Sequence, residues 1–131
     1  MQDYRRLNVW TRAHPHAVAV RKATHSFPRC GFAELKKQIT TAAESIAFNI
    51  VEGCGASSNP DFARFLQISI KSAYELEYQL LLARDYGVLI EGRWKALSKE
   101  TVEIRMMLCG LRKRVLGSKD DPNQETKELD D

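Results

Sequence analysis

The chain has 131 residues, which suits one domain built around a single core. With 44% hydrophobic and 28% charged residues it has the composition of an ordinary globular protein, and no apolar run approaches the ~18 residues a membrane span requires. The net charge of +3 is unevenly placed. Residues 1–116 carry 18 Lys and Arg against 11 Asp and Glu, whereas residues 117–131 carry 2 against 6, so a body of +7 precedes a segment of −4. A basic body permits a polyanionic partner without identifying one.

The opening residues MQDYRRLNVW lack the apolar stretch of a secretory signal, which predicts a cytoplasmic location. Cys30, Cys54 and Cys109 are odd in number and form no CxxC pair, so they are expected as reduced thiols.

Four helices are predicted. The first spans about Val9 to Ser26, with Trp10, Ala13, Ala17, Val20 and Ala23/Thr24 along one face and Asn8 as its N-cap. Pro15 interrupts this helix and predicts a kink or an irregular first turn. The second spans about Ala33 to Glu52 on a stripe of Leu35, Ile39, Ala42/Ala43, Ile46 and Ile50, with Gly53 expected as a left-handed C-terminal cap. The third begins after Ser58, whose pairing with Asp61 fits a capping box, or after Asn59, where Pro60 fits the first helical position. It continues to about Tyr86, and Gly87 stops it. The fourth runs from about Glu91 to Leu116 with Trp94, Leu97, Thr101, Ile104, Met107/Leu108, Leu111 and Val115 on one face.

Short turns between helices of this length predict an all-α, antiparallel up-down-up-down four-helix bundle over residues 1–117. Residues 118–131 have almost no apolar content and are expected to be a disordered acidic tail.

The third helix is apolar beyond the needs of one core. Phe62, Phe65/Leu66, Ala73, Leu76, Leu80 and Ala83 form its seam, yet Tyr74, Tyr78, Leu81 and Leu82 lie off it, as do Ile68 and Ile70. A bundle core uses about three positions in seven. The surplus predicts a homo-oligomer interface through Tyr74, Tyr78, Leu81 and Leu82, against the alternative of a thicker core with tyrosine hydroxyls at its edge. Asn49, Glu52, Arg64, Ser72, Glu75 and Gln79, with Ser69, form a polar set in this region. Buried polar groups must be paired, so a hydrogen-bonded network that fixes helix register is expected there in preference to a ligand pocket.

Catalytic and cofactor signatures are missing. His14, His16 and His25 fit no metal module, and no Glu-x-x-His pair, phosphate-binding loop or nucleophile elbow occurs, so no metal, cofactor or catalytic residue is expected. Arg12 with His16 and Arg21 with His25 approach the Arg/His spacing of some all-helical ribonucleases, but each falls one residue short and lacks an adjacent polar partner.

The segments LNVWTRAH (7–14), Phe27-Pro28, AESIAFNIVEGCG (43–55), DFARFLQISIKSAYELEYQLLLARDYGVL (61–89) and MMLCGL (106–111) together resemble the four-helix bundle proteins related to the 23S rRNA intervening-sequence protein. The Asn-Ile-x-Glu-Gly turn and the Phe-x-Arg-Phe-Leu helix start are its specific parts. The resemblance covers about Tyr4 to Leu116. It implies a homopentameric ring, a cytosolic location and no established enzymatic activity. Some members are encoded inside insertions in rRNA genes, which suggests RNA association. Distant relatives in diversity-generating retroelements are basic, ring-shaped partners of a reverse transcriptase. The chain departs from the usual pattern at Pro15 and at Ile90, where a Ser/Thr cap is usual.

These readings predict a non-enzymatic oligomeric module that binds RNA or a nucleoprotein partner through Arg5, Arg6, Arg12, Lys36, Lys37, Arg105, Arg112, Lys113 and Arg114, and that has no membrane partner. A structural or protein-interaction module with no nucleic-acid role is the first alternative, and a small ribonuclease the second.

Overall fold

The computed structural model describes residues 2–117, so the predicted acidic tail at 118–131 lies outside the described residues. A short 3-10 turn, Tyr4–Arg6, precedes four helices: α1 (Asn8–Thr24), α2 (Ala33–Cys54), α3 (Asn59–Asp85) and α4 (Glu91–Gly117). No strand occurs among the described residues. Each helix packs on its sequence neighbour, and α4 returns to α1, with the most extensive interface between α2 and α3.

Contact registers follow from a few pairs. Along α2 and α3, Ser45 meets Ser72, Ile46 meets Ser69 and Gly53 lies against Phe62, so residue numbers rise on one helix as they fall on the other. Across α1 and α4, Arg12 reaches Glu103 and Glu100, and His16 reaches Thr101.

Apolar stripes at three- and four-residue steps meet in the interior. Ile39, Ile46, Ile50, Leu66, Leu76, Leu80, Ile104, Leu108 and Leu111 are all nearly or wholly removed from solvent. Burying one such side chain contributes about 1.5–3 kcal/mol, which outweighs the modest helix propensity of the β-branched residues among them. Ile70, read from the sequence as surplus, belongs to this core.

The helix ends differ in part from the sequence expectations. Leu7, not Asn8, is the N-cap of α1 and makes no side-chain bond there, and the helix passes through the exposed Pro15. At α3 the cap is Ser58, whose hydroxyl accepts the Asp61 N–H at 3.3 Å, so Pro60 sits within the first turn. At the other end of α3, the Gly87 and Val88 N–H groups reach back to the carbonyls of Arg84 and Ala83 at 2.9 and 3.0 Å, which requires the left-handed φ of 80° at Gly87.

Gly53 has another role than predicted. It lies inside α2 with helical backbone, and the C-cap is Gly55 at φ −84°. A Cβ on Gly53 would stand 2.8 Å from Cδ1 of Phe62 and 3.2 Å from Cβ of Phe65. The glycine is there because α2 and α3 approach too closely for a side chain. Next to this contact, the backbone N–H of Gln2 donates to the Cys54 carbonyl at 3.0 Å and ties the N-terminal segment to the end of α2.

Candidate nucleic-acid interface

The nine cations proposed as contacts fall into separate groups. Arg12 is drawn inward from α1. Its Nε donates to Glu100 Oε2 at 3.0 Å and its Nη2 to Glu103 at 2.6 Å, with the Met107 sulfur at 3.5 Å from Nη1. Hydrogen bonds donated to these carboxylates hold the guanidinium protonated well above its ordinary range, and the bond from Arg12 holds the Glu103 carboxyl below its own. Arg105 is engaged in a similar way. It pairs with Glu77 across α3 and α4, donates to the Tyr74 hydroxyl at 3.2 Å and lies 4.3 Å over the Tyr74 ring. Arg12 and Arg105 therefore stitch helices together, whereas the sequence reading placed them on a polyanion surface.

The remaining cations sit at the ends of helices. Arg5 and Arg6 are exposed in the 3-10 turn, Arg5 pairing with Asp3 at 3.3 Å. Lys113 is exposed near the end of α4, while Arg112 and Arg114 are half-buried beside it. Arg114 lines a cavity of about 310 Å³ together with Leu7, Asn8, Val9 and Met106. Lys36 and Lys37, near the start of α2, line a different cleft that also receives Arg21 from α1 and His25, the C-cap of α1. Neither Arg21 nor His25 was singled out as a contact from the sequence. The signals available were the density of cations between residues 21 and 37 and the Arg21–His25 spacing, which was weighed only as a nuclease pattern.

Of the predicted polar set, Asn49 and Ser72 come together through Ser45. The Asn49 amide donates to the Ser45 carbonyl and hydroxyl at 2.8 and 3.0 Å, and the two serine hydroxyls lie 2.7 Å apart. Ser69, fully buried, donates to the Ile46 carbonyl at 2.7 Å. These bonds pin α3 to α2 at one register. Glu52 and Glu75 are exposed and take no part in them. Arg64 pairs with Asp61 at 2.9 Å and stacks 4.3 Å over Phe65 instead, and Gln79 is half-buried with its amide oxygen shielded. Ser45 escaped the sequence reading because nothing local distinguishes it from any other helical serine.

A second buried polar pair was also missed. His16 Nε2 and Thr101 Oγ1 lie 2.7 Å apart inside the α1–α4 seam. The Thr101 hydroxyl spends its proton on the Leu97 carbonyl at 2.7 Å, so its oxygen accepts and the imidazole donates from Nε2. Burial disfavours the charged ring and pushes the His16 pKa down. His14, two residues earlier, is exposed and stacks on Trp10 at 5.1 Å.

Apolar surface remains on two faces. Tyr74 and Tyr78 are 55% and 61% exposed on α3, Ile68 is exposed on a different side of that helix, and Leu81 and Leu82 are half-buried. Tyr74, Tyr78, Leu81 and Trp94 border a shallow groove between α3 and α4. Phe48 is 66% exposed and, with Val18, Trp10 and Val51, lines a groove of about 470 Å³ between α1 and α2. Among the described residues no group of three His, Cys, Asp or Glu is placed to hold a metal ion, and no helix is long and apolar enough to cross a membrane.

The model of the 23S rRNA-intervening sequence protein family matches residues 5–110. The chain belongs to that family. Among curated proteins none matches it. Among solved structures it is similar to a protein of unknown function from the S23 ribosomal protein family of Bacteroides thetaiotaomicron, with 28% identity and a TM-score of 0.73. The match covers 80% of this chain and 98% of that one. The span that carries the family pattern includes the α1–α2 cleft with Lys36 and Lys37 and stops short of Arg112, Lys113 and Arg114.

Proposed function

We propose that this member of the 23S rRNA-intervening sequence protein family is a cytoplasmic, non-catalytic, self-assembling module that presents a basic surface to RNA. In this reading the helices form an antiparallel up-down-up-down bundle, and copies close into a homopentameric ring. The opposed numbering of Ser45 with Ser72 and Gly53 with Phe62 supports the helix directions.

The observation that carries the assembly is the pair of exposed apolar faces, Phe48 and Val18 on one and Tyr74 and Tyr78 on the other. Patches of this kind are uncommon on monomers. Two different faces suit a head-to-tail contact, and such contacts generate rings when the rotation closes. The number five follows the family resemblance. A ring would multiply the basic surface of each copy and raise its avidity for a long polyanion.

Light scattering on the full chain tests the assembly: a single-chain mass at micromolar concentration rejects it. Phe48→Glu and Tyr78→Glu, on opposite sides of the proposed contact, should each lower the mass while circular dichroism stays helical. Labelled rRNA fragments test the partner. Retarded, intact RNA supports the reading, cleaved RNA replaces it with a nuclease, and no retardation at low salt leaves an assembly module without an RNA role.

A further inference from the structure

The connection between α1 and α2 is the place where unpaired positive charge and a concave surface coincide. From residue 21 to 37 the chain carries Arg21, Lys22, Arg29, Lys36 and Lys37 against the single carboxylate of Glu34. The fold then folds this segment on itself, so that Arg21, His25, Ala33, Lys36, Lys37 and Thr40 line one cleft of about 260 Å³.

The donors in the cleft can be sorted by what already occupies them. None of the ion pairs among the described residues uses Lys36 or Lys37. His25 is exposed at the rim. Arg21 gives one N–H to Glu44 at 3.1 Å, but both side chains are more than half exposed, and a guanidinium has five N–H donors. The Thr40 hydroxyl points its proton at the Lys36 and Lys37 carbonyls, 3.0 Å from each, so Thr40 is wall and not donor. What remains is a set of cations with a ring N–H among them and no carboxylate lining the cleft. Arg12 and Arg105, by contrast, are saturated by Glu100, Glu103 and Glu77.

We infer that the cleft between the end of α1 and the start of α2 seats backbone phosphates of single-stranded RNA, with Lys36 and Lys37 as fixed charges, His25 as a ring donor, and Arg21 turning from Glu44 to the phosphate. This assignment rests on the RNA-binding reading above and gives it a location. Contacts of this type position a nucleic acid and confer salt dependence but read no base.

The test is fluorescence anisotropy of a labelled single-stranded RNA oligonucleotide with the full chain over a range of salt. Replacing Lys36 and Lys37 together by Ala should weaken binding about tenfold at low salt and flatten the slope of log K against log salt by about 1.4, since each phosphate contact on a single strand contributes about 0.7. Glu44→Gln should act in the opposite direction and tighten binding, because it releases Arg21 and removes a negative charge. Lys113→Ala, distant from the cleft, should change affinity less than the double variant does. Circular dichroism checks that each variant is folded. If the wild type binds RNA and the double variant keeps its affinity and slope, the cleft assignment is overturned and the RNA reading survives. If the wild type binds no RNA at low salt, the RNA reading and its location fall together. Titration with inorganic pyrophosphate, followed on the His25 ring signals by NMR, then shows whether the cleft holds the bare anion.

Discussion

His16 on α1 and Thr101 on α4 form a buried hydrogen bond of 2.7 Å in which the direction of donation is set by a third group, the Leu97 carbonyl. The pair sits one turn of α1 from the Arg12–Glu100–Glu103 cluster, so this seam carries titratable groups alongside its apolar side chains. A seam of that kind responds to pH in a way the α2–α3 seam does not.

Acid should loosen it in two stages. Burial, opposed by Glu100 and assisted by Arg12, makes the folded chain protonate His16 at lower pH than the unfolded chain does. The unfolded state therefore binds more protons, and the contribution of His16 to stability, complete above about pH 6.5, is lost as pH falls below it. Glu103, held below its usual range chiefly by its bond to Arg12, adds a second loss below about pH 4.3. The urea midpoint should fall between pH 7 and 5, and His16→Gln, which keeps a neutral donor, should flatten that interval and leave the lower one. A wild-type midpoint that is level from pH 7 to 5 contradicts this.

Arg12 should matter for stability and little for RNA. A double-mutant cycle of Arg12→Ala with Glu100→Ala is expected to give a coupling of about 1 kcal/mol, limited by partial exposure of both side chains and reduced by added salt. Arg12→Ala should bind RNA with nearly wild-type affinity. A large loss of affinity without a loss of stability would return Arg12 to the interface.

Glycine-to-alanine changes should have opposite signs at two helical positions. At Gly53 the added methyl meets the ring of Phe62, itself 3% exposed and unable to retreat, so overpacking should exceed the gain in helix propensity and destabilise by about 1 kcal/mol or more. Gly53→Val should be worse. At Gly110, within α4, the new Cβ would make only an ordinary contact of 3.6 Å with Arg114, and stability should rise by about 0.5–1 kcal/mol. Thermal melts of the three variants decide the matter, and a stable Gly53→Ala protein would mean that α2 and α3 can separate at this point.

The cysteines should differ sharply in reactivity. Burial pushes the Cys54 thiol up to about 12, so almost no thiolate is present at neutral pH, while Cys30 is exposed in the α1–α2 connection. Under native conditions an alkylating reagent should label Cys30 and spare Cys54 until the chain is unfolded. Early labelling of Cys54, read by peptide mass, would show that the Gln2–Cys54 contact opens readily.

The number of helices and most of the core were legible in the residues alone, because a buried stripe repeats every three or four positions whatever it packs against. That periodicity marked Ile39, Ile46, Leu76, Leu80, Ile104 and Leu108 before any partner was known, Gly87 marked one helix end, and Ser58 and Asn59 marked another without the sequence choosing between them. The roles of the polar residues required the tertiary structure. Arg12 and Arg105 look like any surface arginine until Glu100, Glu103 and Glu77 arrive from helices far away in the chain. Gly53 reads as a cap until the distance to Phe62 shows a close approach. The cleft of Arg21, His25, Lys36 and Lys37 exists only once α1 and α2 lie side by side. Periodicity is written within one helix, whereas the partner of a charge or of a missing side chain is chosen by packing between helices.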